Sequence, residues 1–170
     1  VGLLETAVRL SRFLANAKPA VDRVVQFGIG GAYLQPGGNQ QPGLLDICFA
    51  EQEILGDLGI CVQDGVAYLD PALTGDLVFS LDPELLQRGR EILHGSGVPS
   101  FAGRFVTVNA ATASRRRGAM LQERWQGLCE NMEGAAVARV CREFAIPCLE
   151  LRAISNTVDD RNIKTWRVAE

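Results

Sequence analysis

Residues 129–160 contain a change of hydrophobic period that limits the fold more than any other feature of the chain. Ala136, Val140 and Phe144 recur every four residues with Val137 and Cys141 beside them. Arg139, Arg142 and Glu143 fall on the opposite side, so the spacing predicts an amphipathic helix. Pro147 stops it. Beyond Pro147, Cys148, Leu149, Leu151, Ala153 and Ile154 suit a buried strand that places Ser155 and Asn156 at its carboxyl end, where α/β sheets hold their ligands. Glu133 stands just before the small-residue turn Gly134-Ala135-Ala136, so its carboxylate and the Asn156 amide are expected to share a cleft. Each also has a local reading, Glu133 as a first-turn or capping carboxylate and Asn156 as a polar strand end bonded to its own backbone.

Upstream, Leu4, Ala7, Val8, Leu10 and Leu14 predict a helix face, and Val24–Phe27 a short buried strand. Gly28, Ile29, Gly30 and Gly31 follow at once and read as a turn whose backbone amides can approach a ligand without Cβ interference. The spacing is not that of a dinucleotide fingerprint, and residues 33–43 read as loop rather than helix. Neither Arg nor Lys lies between Arg23 and Arg88, so the glycine segment brings no cation for a phosphate. Residues 44–49 suit a strand, residues 51–59 a short separate element, and Asp64-Gly65 a tight turn before residues 66–69. Asp82-Pro83-Glu84 predicts a helix start, with Leu85, Leu86, Ile92 and Leu93 buried and Gly95 as the stop. A strand is expected over 101–108, running into the small residues 109–114, then a basic-faced helix containing residues 115–125 and a last helix from Trp166. One domain over residues 1–170 results, with helices around a mixed sheet and no internal repeat.

Composition removes several classes of function. With 47% hydrophobic and 22% charged residues in 170, the chain can bury a core of its own. A formal charge of −3, with Arg115-Arg116-Arg117 as the one basic run, argues against nucleic acid as a partner. No apolar run approaches membrane-spanning length. The five cysteines are odd in number, lack paired spacing and lie mostly in apolar runs, which favours the reducing cytoplasm. Neither a metal nor another cofactor is expected, since the single histidine, His94, sits at the end of a helix pattern without companions.

Glu130-Asn-Met-Glu-Gly-Ala-Ala136 followed by Leu151-Arg-Ala-Ile-Ser-Asn156, with Phe27-Gly-Ile-Gly-Gly-Ala-Tyr33 upstream, resembles the nucleoside phosphorylase and nucleosidase superfamily. Within it the resemblance is to the futalosine hydrolases of the alternative menaquinone pathway, because Asn-Met-Glu-Gly and Ser-Asn replace the Glu-Met-Glu and Ser-Asp of adenosine-type enzymes. The resemblance implies a three-layer α/β/α fold with a central mixed sheet, and hydrolysis of a purine nucleoside by a homodimer or higher homo-oligomer. It further implies that Glu133 and Asn156 are catalytic, that Gly28–Gly31 lie under the ribose, and that Ala111 and Thr112 line the purine. Asn131, Met132, Arg152 and Ser155 complete the expected substrate contacts. The same resemblance implies further N-terminal strands, an acid or base from the first of them, and a longer last helix. The alternatives are a methylthioadenosine or adenosylhomocysteine nucleosidase, a purine nucleoside phosphorylase and a nucleoside-binding protein without catalysis.

The chemistry is consistent with those roles. Cleaving the N-glycosidic bond builds positive charge on the ribose and negative charge on the departing base, so a stabiliser is needed at each end. A carboxylate such as Glu133 serves the ribose and the attacking water. An amide such as Asn156 serves the base.

Overall fold

The computed structural model describes residues 2–38, 41–63 and 65–168. Helix α1 (Leu3–Asn16) rests on helix α5 (Gly134–Glu143) and turns Leu3, Ala7, Leu10 and Leu14 inward. Leu4 and Val8, expected on the buried face, are exposed instead. A helix with essentially one neighbour needs only a narrow apolar seam.

Strand β1 (Val24–Tyr33) is much longer than the four residues its apolar run predicted. The Gly28–Gly31 segment is therefore extended strand and not a turn. It pairs in parallel with β8 (Cys148–Val158) along its whole length, with a register shift between Gly30 and Gly31. Glycine is required at position 30 by close packing, since a Cβ there would meet the Cys129 sulfur and lie 3.0 Å from the Glu130 carbonyl. Strand β2 spans Ile47–Leu55, so the strand placed at 44–49 begins later and absorbs most of the short element expected after it. Strands β3 (Gly59–Val62) and β4 (Gly65–Tyr68) form a hairpin. Asp64, assigned to its turn, lies outside the described residues.

After the single turn α2 (Pro71–Thr74) and strand β5 (Val78–Ser80), helix α3 (Pro83–Gly95) starts as its sequence predicts, with Asp82 Oδ1 accepting from the Leu85 amide at 2.8 Å. Leu85, Leu86 and Leu93 are partly covered, but Ile92 is 62% exposed and does not belong to the buried face. Strand β6 (Ser100–Thr107), helix α4 (Arg115–Trp125) and strand β7 (Gly127–Asn131) follow. Past β8 a 3-10 turn occupies Ile163–Thr165, and Trp166 is extended rather than the start of a helix.

The main sheet is mixed and runs β5-β2-β6-β7-β1-β8. It curls until β2 also pairs with β8, antiparallel, through Ile47↔Ala153, Cys48↔Arg152 and Phe49↔Leu151. Five strands thereby close a ring, and the helices pack around it. One buried cluster, including Cys48, Phe79, Phe105, Cys129, Val137 and Ile154, joins the sheet to α5. A second, of Tyr33, Val106, Val108, Leu121 and Val158, joins it to α4. Cys48, Cys129, Cys141 and Cys148 are buried free thiols, Cys61 is an exposed one, and His94 is exposed in the last turn of α3. Among the described residues no helix is long and apolar enough to cross a membrane, and no cluster of side chains is suited to a metal ion.

Candidate active site

Three strands deliver the site. The end of β7 leads through Met132 and Glu133 into α5, the second half of β8 carries Arg152, Ser155 and Asn156, and β1 passes between them with Ile29, Gly30 and Gly31. With Ala111, Thr112 and Asn131 these residues line one cleft of about 220 Å³. All but one of the residues singled out from the sequence are thus brought together. The exception is Gly28, which lies behind the Arg152 guanidinium and does not line the cleft.

Glu133 occupies the N-cap position of α5, yet its side chain makes no capping bond. Asn131 does that work instead, its Oδ1 accepting from the amides of Glu133 at 2.9 Å and Gly134 at 2.7 Å. The Glu133 carboxylate is left to face the cleft, half-buried, accepting from the Gly2 amide at 3.1 Å and pairing with Arg152 at 3.4 Å. Burial pushes its pKa up, while the hydrogen bond from the Gly2 amide and the Arg152 charge push it down. It is an anion at neutral pH. The local reading of Glu133 as a capping side chain is therefore not the one the structure adopts.

Arg152 is 5% exposed and donates to Glu150 Oε1 at 2.8 Å and to the Ile29 carbonyl at 3.2 Å. Burial alone would lower its pKa; the Glu150 carboxylate reverses that and raises it. The guanidinium is thus charged and already matched by two carboxylates, Glu150 and Glu133.

At the other side of the cleft the Asn156 carbonyl accepts from Ser155 Oγ at 2.9 Å and its amide nitrogen donates to the Thr157 carbonyl at 3.1 Å. One amide proton and one carbonyl lone pair remain for a ligand. Asp57 braces the adjoining loop by accepting from the amides of Asn109 at 3.0 Å and Ala110 at 3.3 Å and from Arg117 at 3.1 Å.

Two lining residues escaped the sequence reading. Glu130 is only 8% exposed; it accepts from Tyr33 Oη at 2.9 Å and from the amide and hydroxyl of Thr112 at 2.9 and 2.6 Å, which fixes the loop opposite Asn131. Its alternation with Cys129 and Asn131 on one short strand was the available signal. Trp166 forms part of the wall because the Arg167 amide donates to the Ser155 carbonyl at 2.8 Å and draws the extended segment over the cleft. Asp159 and Asp160 do not line it, and Asp160 accepts from the Arg115 amide at the start of α4.

A ring of mixed strands with a carboxylate and an amide facing one small cleft is the arrangement found, and the chain belongs to the phosphorylase superfamily, whose family model matches residues 4–170. Among curated proteins it is 34% identical to a futalosine hydrolase of Thermus thermophilus, aligned over the whole chain and 72% of that protein. It is 33% identical to a futalosine hydrolase of Streptomyces coelicolor over 88% of this chain and 60% of that one. The solved futalosine hydrolase of Helicobacter pylori superposes with a TM-score of 0.80 at 19% identity, covering 97% of this chain and 67% of that one.

Proposed function

We propose that the protein hydrolyses the N-glycosidic bond of a purine nucleoside, and that the nucleoside is futalosine, cleaved to hypoxanthine and dehypoxanthine futalosine on the way to menaquinone. The observation that carries this reading is the single cleft with an anionic Glu133 on one side and a half-satisfied Asn156 amide on the other. Glu133 accepts from the ribose hydroxyls, favours the positive charge that grows on the sugar and steadies the attacking water. Asn156 meets the departing base, with Ser155 holding its carbonyl in place. Ala111 and Thr112 offer backbone groups to the flat purine, Gly30 and Gly31 leave room beneath the sugar, and Asn131, Met132 and Arg152 shape the floor. The kinship with futalosine hydrolases of two bacteria supports the substrate.

Water is the acceptor rather than phosphate. Among the described residues Arg152 is the only cation that lines the cleft, and it is committed to Glu150 and Glu133, so these residues offer an entering phosphate no uncompensated charge. The protein works in the cytoplasm on a small molecule, as a homodimer or higher homo-oligomer, without a cofactor. The test is hypoxanthine release from futalosine with and without phosphate. Release is expected to be independent of phosphate, and Glu133→Gln is expected to lower kcat by about 10²–10³-fold, the usual loss when one transition-state stabiliser is removed. Strict dependence on phosphate with formation of a sugar phosphate would place the protein among the phosphorylases, and binding without release would make it a carrier.

A further inference from the structure

Beneath the cleft lie two carboxyl groups for which the chemistry above has no use. Glu53 of β2 is fully buried and Glu150 of β8 is 2% exposed. Their carboxyl groups converge on the same point of the backbone. Both press on the α-carbon of Gly134, where a methyl group would overlap Glu53 Oε1 and come within 2.5 Å of Glu150 Oε2. Two anions cannot be held so close in a dry site, because each loses its hydration and gains a like-charged neighbour.

The surroundings decide which of the two is neutral. Glu150 accepts from the Arg152 Nε at 2.8 Å, a charge-assisted bond that favours its ionised form. Glu53 faces uncharged partners, with Thr107 Oγ1 and Asn131 Nδ2 each at 2.6 Å. Burial first, and then the Glu150 charge, push the Glu53 pKa well above the carboxylate range. The remaining ionisable neighbours do not change this assignment. Cys129 of β7 and Cys48 of β2 are kept as thiols chiefly by burial, and Glu133 lies across Arg152. Strand β6 contributes the neutral Thr107, and α5 contributes its first amides, Gly134 donating to Asn131 Oδ1 at 2.7 Å and Ala135 to Thr107 Oγ1 at 2.8 Å.

We propose that Glu53 and Glu150 share one proton, carried by Glu53, and that this pair is the positioning device of the cleft. Glu150 fixes Arg152 and Glu53 fixes Asn131; through these two, Glu133 and the N-terminus of α5 are held in place. When Glu53 loses its proton, the two carboxyl groups repel each other directly under α5. Glu53 and Glu150 are positioning residues and touch no substrate. The kinetic consequence rests on the hydrolytic reading of the cleft; the proton itself does not.

The sign of the pH effect follows from the raised pKa. Below the unfolded value, about 4.3 for Glu, both states carry the proton and nothing is lost. As pH rises from there through the folded value, the unfolded chain ionises first and stability falls. Gln at position 53 is neutral throughout, so the melting temperature of Glu53→Gln relative to the unsubstituted protein is expected to climb steadily with pH. Infrared spectra of the unsubstituted protein at neutral pH are expected to show the carbonyl stretch of a buried carboxylic acid, absent in Glu53→Gln. In base-release assays Glu53→Gln should flatten the alkaline limb of kcat, while Glu150→Gln, which strips Arg152 of its buried counter-charge, should lower kcat by about 10–100-fold, as loss of an outer-shell partner does. A missing acid band in the unsubstituted protein, or one that survives Glu53→Gln, overturns the shared proton. An acid band that behaves as expected beside an unchanged alkaline limb overturns the positioning role. Absence of nucleoside cleavage in every form would count against the hydrolytic function alone, with the infrared and melting results still deciding where the proton sits.

Discussion

Asn156 presents one proton and one lone pair to the cleft, and on the proposed hydrolytic reading that pairing decides which purine it reads. Its NH₂ donates to O6 of a hypoxanthine while its carbonyl accepts the proton that N7 gains as the bond breaks. Facing an adenine it sets donor against donor, or turns over and loses N7 together with the Ser155 hydroxyl. A mismatch of this kind leaves a buried polar group unpaired and discriminates by roughly 10⁴. Asn156→Asp is expected to shift kcat/KM toward 6-aminopurine nucleosides, measured on a matched hypoxanthine and adenine pair; equal values in the unsubstituted protein would remove Asn156 as the base reader. At this scale the cleft was largely legible, because Glu133, Asn131 and Asn156 sit in short motifs at element junctions. Glu130, Glu53 and Glu150 were not, since a buried acid looks like any other acid until its partners are known. Glu150 had one visible mark, its spacing two residues from Arg152 within the otherwise apolar run 148–154.

The element that joins these side chains is the first turn of α5. Its amides are capped from Asn131 and Thr107, both of which also hold Glu53, so the helix start and the buried acid pair form one unit. Gly134 is the contact point, and Gly134→Ala forces a methyl group into two carboxyl groups. A destabilisation of about 1–3 kcal/mol is expected from such overpacking, at about 2–4 °C of melting temperature per kcal/mol for a chain of this size. Glu53→Gln in the same background should not restore it, because the clash is steric; recovery would show that charge rather than volume excludes the methyl. Helix limits such as Asp82-Pro83 were readable because caps are local. The limits of β1 and β2 were not, since what extends Gly28–Gly31 is a ladder to β8 more than a hundred residues away.

Across the whole molecule the apolar surface is unevenly covered. Leu4, Val8 and Phe13 on α1 and Val25, Phe27 and Ile29 on β1 are all exposed, Phe27 at 79%. Among the described residues β1 pairs with β7 only through Gly31 and Ala32, so on that side the strand before Gly31 carries no ladder partner. An exposed strand edge flanked by apolar side chains is a template for further pairing. The closing of β2 on β8 removes another edge of the sheet. Residues 1–170 by themselves are therefore expected to self-associate, sedimenting as a dimer or larger species at micromolar concentration, whereas further N-terminal strands of the kind the resemblance implies would cover this edge first. Phe27→Lys places a charge on the exposed face at little cost to the fold, since the side chain has almost no internal packing to lose. It should shift the distribution toward monomer without lowering the melting temperature extrapolated to low concentration. A monomer at every concentration before substitution would sink this expectation. An oligomer unaffected by Phe27→Lys would move its interface away from β1.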